Sequence, residues 1–126
     1  DATEAEALLA ARRLAYHSME HLAATTFPTG NGVDAEDDIA VPRTALAETL
    51  DGVARIAAAH GVMVGMVAHA GDGNLHPNII VDQADPASVA AGQAVFDEIM
   101  ELALSLGGTS TGEHGVGLLK RDWLAR

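Results

Sequence analysis

Apolar residues recur at helical spacing in three stretches of the chain and alternate at strand spacing in others, and their order sets the expected fold. Residues 3–24 place Leu8, Ala11, Ala15, Met19 and Leu22 on one stripe, with Thr3 and Glu6 at capping-box spacing, so they read as one helix. Pro28, Gly30, Asn31 and Gly32 make residues 25–36 a loop. Asp38-Ile39-Ala40-Val41 is a short strand ended by Pro42, which suits the first turn of a following helix. That helix carries Leu46, Leu50, Val53 and Ala57 on one face and runs to His60, with Gly61 as its stop. Residues 62–70 and 75–82 are two strands joined by Gly71-Asp72-Gly73-Asn74. Asp85-Pro86 caps a further helix bearing Ala91, Val95, Ile99, Leu102 and Leu106, stopped by Gly107-Gly108. Residues 109–112 are a short strand or a loop.

From residue 38 the order is β-α-β-β-α-(β). This predicts an α+β domain of ferredoxin-like arrangement: an antiparallel sheet with helices on one face, an extra N-terminal helix and a truncated C-terminal one. Such a sheet leaves its other face bare, to be covered by a ligand, another domain or a second copy of the chain in a homodimer.

The hairpin places chemistry on that face. Asp-Gly favours a two-residue type I′ turn, in which both central residues need positive φ. If Asp72-Gly73 forms it, 71 pairs with 74, 70 with 75 and 69 with 76. His69 and His76 then stand directly opposite each other, Cβ atoms roughly 4.5–5.5 Å apart, with Asn78 on the same face. Two imidazoles so held can bind a divalent metal, with a carboxylate as the usual third ligand. They can equally be surface histidines beside a tight turn. A second segment, Gly107-Gly108-Thr109-Ser110-Thr111-Gly112-Glu113-His114-Gly115-Val116-Gly117, sets five glycines around an adjacent Glu-His pair. Glycine at that density marks close approach of backbone to a ligand, or a plain flexible loop.

Composition narrows the function classes. Seven basic against eighteen acidic residues in 126 give a net charge of −11, which argues against nucleic acid and anionic membrane surfaces. No cysteine is present, so disulfides and thiolate sites are excluded. No apolar run approaches the roughly 18 residues of a membrane span and no signal-peptide pattern opens the chain, so a cytoplasmic location is expected. Aromatics supply only 3% of the residues, so the core must be aliphatic. His17 and His21, four apart on a helix, read as a solvated face, His60 as a helix-end imidazole, and Asp34, Glu36, Asp37 and Asp38 as solvated loop charge. No phosphate-binding loop and no Ser-His-Asp spacing is found. The opening at Asp1 within a helical pattern, and the close in residues 118–126 without a terminator, are those expected of a fragment.

His69-Ala70-Gly71-Asp72-Gly73-Asn74-Leu75-His76 together with Gly112-Glu113-His114-Gly115-Val116-Gly117 resembles the C-terminal, substrate-side domain of FAD-linked oxidases of the vanillyl-alcohol-oxidase type. Glycolate oxidase flavin subunits, D-lactate dehydrogenases and D-2-hydroxyglutarate dehydrogenases belong to that family. Asp38-Ile39-Ala40-Val41-Pro42 matches a further family segment, and Leu9-Ala10-Ala11-Arg12 is similar to its Trp-x-x-Arg helix, with Leu9 in the Trp position.

The resemblance implies that residues 1–126 are a single domain, part of an enzyme whose flavin-binding domain is not in this chain. It implies a metal held by His69, His76 and Glu113, usually zinc and sometimes manganese or iron. It implies His114 as the base that takes the hydroxyl proton while hydride leaves for FAD. Arg12 would hold the substrate carboxylate, with Arg13 a second choice because Leu9 replaces Trp, and Asn78 would orient the substrate. The physical chemistry agrees: a metal on the α-hydroxyl lowers its pKa, and a neutral imidazole is a suitable base near pH 7. Glu36 stands where relatives acting on 2-hydroxyglutarate carry Lys, which favours a monocarboxylate such as glycolate or lactate. The isolated domain is expected to be inactive, its partners the substrate and its own flavin domain, and the sequence names no electron acceptor. The contrasting reading is a stand-alone metal- or ligand-binding regulatory module of ferredoxin-like fold. In an ideal ferredoxin-like sheet the last strand ends far from the turn holding His69 and His76, so topology alone does not bring Glu113 to the pair.

Overall fold

The computed structural model describes residues 2–124, the side chains of Ala2, Arg12 and Tyr16 excepted. The elements are α1 (Ala2–Arg13), α2 (Ala15–Thr26), β1 (Gly32–Glu36), β2 (Ile39–Ala40), α3 (Leu46–His60), β3 (Met63–His69), β4 (Asn74–Asp82) and α4 (Pro86–Ser105), with short 3-10 turns at Arg43–Ala45 and Arg121–Trp123. The α+β class holds: helices pack on an antiparallel four-stranded sheet.

β4 lies at the centre. β3 runs along one edge, and β1 and β2 share the other. Glu36 pairs with Asn78 and Ile39 with Leu75, so β1 and β2 keep one continuous register and form a single edge strand interrupted only at Asp37-Asp38. That register puts Asp38 opposite His76. Residues 32–36, expected as loop, are strand because Val33 and Ala35 face Val81 and Ile79 of β4. Tertiary pairing overrode the local glycine signal there.

Leu75, Ile79 and Val81 point to α3 and α4, where Val53, Val95, Ile99, Met100 and Ala103 close an aliphatic core joined by Phe96. Gly92 lets α4 approach β4, since a Cβ there would collide with Val81. Asp85 caps α4 by accepting from the Ala87 N–H at 2.9 Å, and Gly61 in the left-handed region ends α3, both as the sequence predicts.

Three expectations fail. The N-terminal helix breaks at Leu14 into α1 and α2, and Leu8, Ala11 and Leu22 of its expected apolar stripe are exposed. The helices do not share one face: α2 lies across the histidine-bearing face, where Met19 fills the space left by Gly65 and a Cβ on Gly32 would strike the Ala23 carbonyl. All nine residues of β4 are buried, so the face expected to be bare is covered along that strand. The last strand of the ferredoxin-like arrangement is reduced to one antiparallel bridge between Ala40 and Thr109, and the C-terminal segment forms turns and a short 3-10 helix rather than an α-helix as far as residue 124.

The candidate metal and substrate site

The hairpin register differs from the expected one. His69 pairs with Asn74, Ala68 with Leu75 and Val67 with His76, leaving a four-residue loop at 70–73. Asp72 does not take positive φ; only Gly73 does, at 77°. Turn bonds from Asp72 N–H to the His69 carbonyl (2.9 Å) and from Gly73 N–H to the Ala70 carbonyl (3.4 Å) replace the type I′ turn. A Cβ at Gly73 would hit the Val41 carbonyl, whose residue donates its N–H to the Gly73 carbonyl at 2.9 Å, so contact with the neighbouring strand selects the longer loop. The register moves by two residues. Because side chains alternate with period two, both histidines keep the same face. Their rings meet edge-on, centroids 5.3 Å apart.

Glu113 reaches both. Its Oε1 lies 3.1 Å from His69 Nε2 and 3.2 Å from His76 Nε2. The topological obstacle disappears because the last strand starts beside Ala40, at the same end of the sheet as the hairpin, and stops after one bridge. Asp38 then turns the chain over the sheet. Its Oδ2 accepts from Thr111 Oγ1 (2.8 Å) and from the N–H groups of Gly112, Glu113 and His114 (2.8, 2.9 and 2.8 Å). Burial by itself raises the Asp38 pKa, but the bonds from His114, Thr111, Glu113 and Gly112 outweigh it and hold the carboxyl at about 2. Gly112 is required beneath this arrangement: a Cβ would press on the Asn74 amide and lie 2.8 Å from Asp38 Oδ1.

The acidic run is not solvated loop charge. Asp37 and Asp38 are buried, and buried Lys120 joins them, 2.5 Å from Asp37 Oδ1 and donating to the Asp38 carbonyl at 2.6 Å. Burial keeps Asp37 above its ordinary pKa despite that partner. Asp34 is pushed up to about 6 by burial, then by repulsion from Glu36 and Glu20. Glu36 Oε1 lies 3.8 Å from His76 Nδ1 and 4.0 Å from His114 Nε2. The His114 ring stacks on His76 with centroids 4.9 Å apart.

The predicted residues divide clearly. His69, His76, Glu113 and His114 come together. Asn78 shares their face but is fully buried, its Nδ2 donating to the His76 carbonyl at 2.8 Å. The Arg12 side chain lies outside the described residues, and neighbouring Arg13 is exposed. His17 is an exposed partner of Glu20, as the solvated-face reading requires, and His60 pairs with Glu98 at 2.7 Å between α3 and α4. Sequence reasoning missed the role of Asp38, and it used Glu36 only against a second substrate carboxylate, not as a neighbour of His76 and His114. A signal for Asp38 existed: the N–H groups of a glycine-rich segment need acceptors, and a carboxylate run was the available supply.

Among the described residues, two donor sets have ligand atoms within 4.8 Å of one another: His69, His76 and Glu113; and Glu36, His76 and His114. The residues fit a metal. His76 is fully buried with both ring nitrogens lacking a hydrogen-bond partner, a condition that a cation at one nitrogen and a carboxylate at the other would relieve. Two imidazoles and one carboxylate are a donor set suited to zinc and its neighbours. Beside the set, His69, Asp72, Asn74, Gly112 and Glu113 line an open polar cleft.

Fold and site together describe an α+β domain that holds two histidines, a glutamate and a further histidine against one strand end. Residues 1–126 match the family "FAD linked oxidases, C-terminal domain" over the whole chain, and the chain belongs to that family. It is 39% identical over 121 residues to the glycolate oxidase subunit GlcD of Bacillus subtilis, covering 96% of this chain and 24% of that protein. Against GlcD of Escherichia coli K12 it is 41% identical over 80 residues, 64% of this chain and 16% of that protein. The mitochondrial D-lactate dehydrogenase [cytochrome] of Kluyveromyces lactis is 36% identical over 87 residues, 69% of this chain and 14% of that protein. The chain thus spans a quarter or less of the length of these relatives. Among the described residues no helix is long and apolar enough to cross a membrane.

Proposed function

We propose that this chain is the substrate side of an FAD-dependent enzyme that oxidises a small D-2-hydroxy acid, of the glycolate or lactate type, to the 2-oxo acid. The observation that carries the reading is the convergence of Glu113 Oε1 on the Nε2 atoms of His69 and His76, with His114 next in sequence and stacked on His76. FAD, bound mainly by a flavin domain outside this chain, supplies the hydride acceptor. His69, His76 and Glu113 would hold a divalent metal, zinc first and manganese or iron as the other choices, which acidifies an α-hydroxyl. His114 takes the hydroxyl proton on a ring nitrogen, and its stacking on a buried ring fixes where that nitrogen stands. Arg12 holds the substrate carboxylate as a bidentate fork, and the buried Asn78 Oδ1, without a hydrogen-bond partner, is the group left to orient what lies above it. Glu36 beside His114 repels a second substrate carboxylate, which favours glycolate and D-lactate over dicarboxylic acids. The relatives' names point to the same two substrates.

The test is steady-state kinetics of the full-length protein on glycolate, D-lactate and D-2-hydroxyglutarate. The two monocarboxylates should exceed the dicarboxylate in kcat/KM by more than about tenfold, and Arg12→Lys should raise KM by roughly 10–100-fold as a point charge replaces the fork. Preference for the dicarboxylate would overturn the substrate class. Arg13→Lys acting in place of Arg12→Lys would move the carboxylate contact by one residue.

A further inference from the structure

His76 can serve a metal through one ring nitrogen only, because a neutral imidazole has one lone pair and one N–H. Its Nε2 faces Glu113 and His69, and its Nδ1 faces Asp38 Oδ1 at 4.0 Å and Glu36 Oε1 at 3.8 Å. Asp38 Oδ1 is itself buried without a hydrogen-bond partner, while Oδ2 is filled by four donors. Glu36 is one-third exposed and can turn to water; Asp38 Oδ1 has no such outlet. The strand register sets Asp38 opposite His76, so the two buried orphans can relieve each other.

We propose that Asp38 is a positioning residue that sets the tautomer of His76: Oδ1 accepts the Nδ1–H and leaves the Nε2 lone pair for the metal, while Oδ2 holds the segment that delivers Glu113 and His114. One carboxylate thereby aligns a ligand on the sheet with a ligand and a base on the loop. The 4.0 Å gap exceeds an ordinary hydrogen bond by about 1 Å, which the pair must close when the Nδ1–H bond forms. The inference rests on the metal reading above and adds a residue to it.

Asparagine at 38 separates this role from simple anchoring. The loop N–H groups force the amide oxygen into the Oδ2 position, so the NH2 group must face His76 Nδ1. Nδ1 is then the acceptor, Nε2 carries the proton, and the metal loses its lone pair. In the full-length protein, Asp38→Asn should weaken zinc binding by roughly 10–100-fold in chelator competition, the range found when a partner behind a ligand is lost. Ile99→Val, a cavity in the core on the other side of the sheet, lowers stability and should leave zinc affinity unchanged. In zinc-loaded wild type with 15N-labelled histidine, His76 should show a protonated Nδ1 and a metal-bound Nε2. A metal-bound Nδ1 in that spectrum overturns the proposal, as does Asp38→Asn binding zinc within twofold of wild type. A second zinc equivalent lost in Glu36→Gln also overturns it, since Nδ1 would then be a ligand. Should Asp38→Asn fail to fold, the wild-type spectrum decides alone. His76→Ala keeps the two claims apart: zinc retained there sinks the metal reading, whereas zinc lost there but kept in Asp38→Asn sinks only the tautomer role.

Discussion

Gly112→Ala should cripple the proposed metal site while leaving most of the fold intact. Gly112 has no positive φ, so the backbone tolerates alanine and the whole effect is contact. The new Cβ would overlap the Asn74 amide, 2.6 Å from its Cγ, and sit 2.8 Å from Asp38 Oδ1. Neither neighbour can move freely: both side chains are buried, and Asp38 is pinned by four hydrogen bonds. Overpacking of this kind costs about 1–3 kcal/mol. The exposed loop yields before the strand does, so Glu113 and His114 are displaced from the histidine pair. Zinc affinity should fall by roughly 10–100-fold, equivalent to about 1.4–2.7 kcal/mol, with a Tm decrease of a few degrees. Gly92→Ala is the matched comparison. Its Cβ collides with Val81 in the helix–sheet interface on the opposite face, so it should lower Tm comparably and spare zinc affinity. Chelator competition and thermal melts on the two variants test the point. Wild-type zinc affinity in Gly112→Ala, or an equal loss in Gly92→Ala, would show that the Gly112 contact does not position Glu113.

The acidic cluster gives two pH signatures of opposite sign. The Asp38 pKa is about 2 when folded against an ordinary 3.8, so its contribution is complete above about pH 4 and lost as pH falls through 2; urea midpoints should drop over that window, and less in Asp38→Asn. Asp34 is raised to about 6, so the folded state favours its protonated form and stability declines as pH climbs from about 4 through 6. Asp34→Asn should remove that decline and gain stability at pH 7–8; an unchanged slope in the urea midpoints would refute the assignment.

The elements with strong periodicity were legible in the sequence, as α3, α4, β3 and β4 show, because aliphatic stripes and a cap or stop residue marked each one. β1 was not, since Gly32 and its neighbours carry a loop signal and only pairing with β4 makes the segment a strand. The same-face placement of His69 and His76 survived a wrong turn type, because the register error was two residues and the pleat repeats every two. The convergence of Glu113 could not be read from spacing. It depends on a strand cut to a single bridge and on Asp38, seventy-odd residues away in sequence, gathering the loop N–H groups. The cover that α2 gives to the histidine face was hidden for a similar reason: Gly65 looks like a weak strand residue and Gly32 like a loop residue until Met19 and Ala23 occupy the space they leave.

Metal content and steady-state kinetics on two single variants of the full-length protein bear most directly on the site as a whole. His76→Ala should lose the metal and the activity together. His114→Ala should keep the metal and most substrate binding while kcat falls by roughly 10²–10⁴-fold, the usual range for loss of a general base. If His114→Ala loses the metal, or His76→Ala retains it with full activity, the division between a His69–His76–Glu113 metal site and a His114 base is wrong.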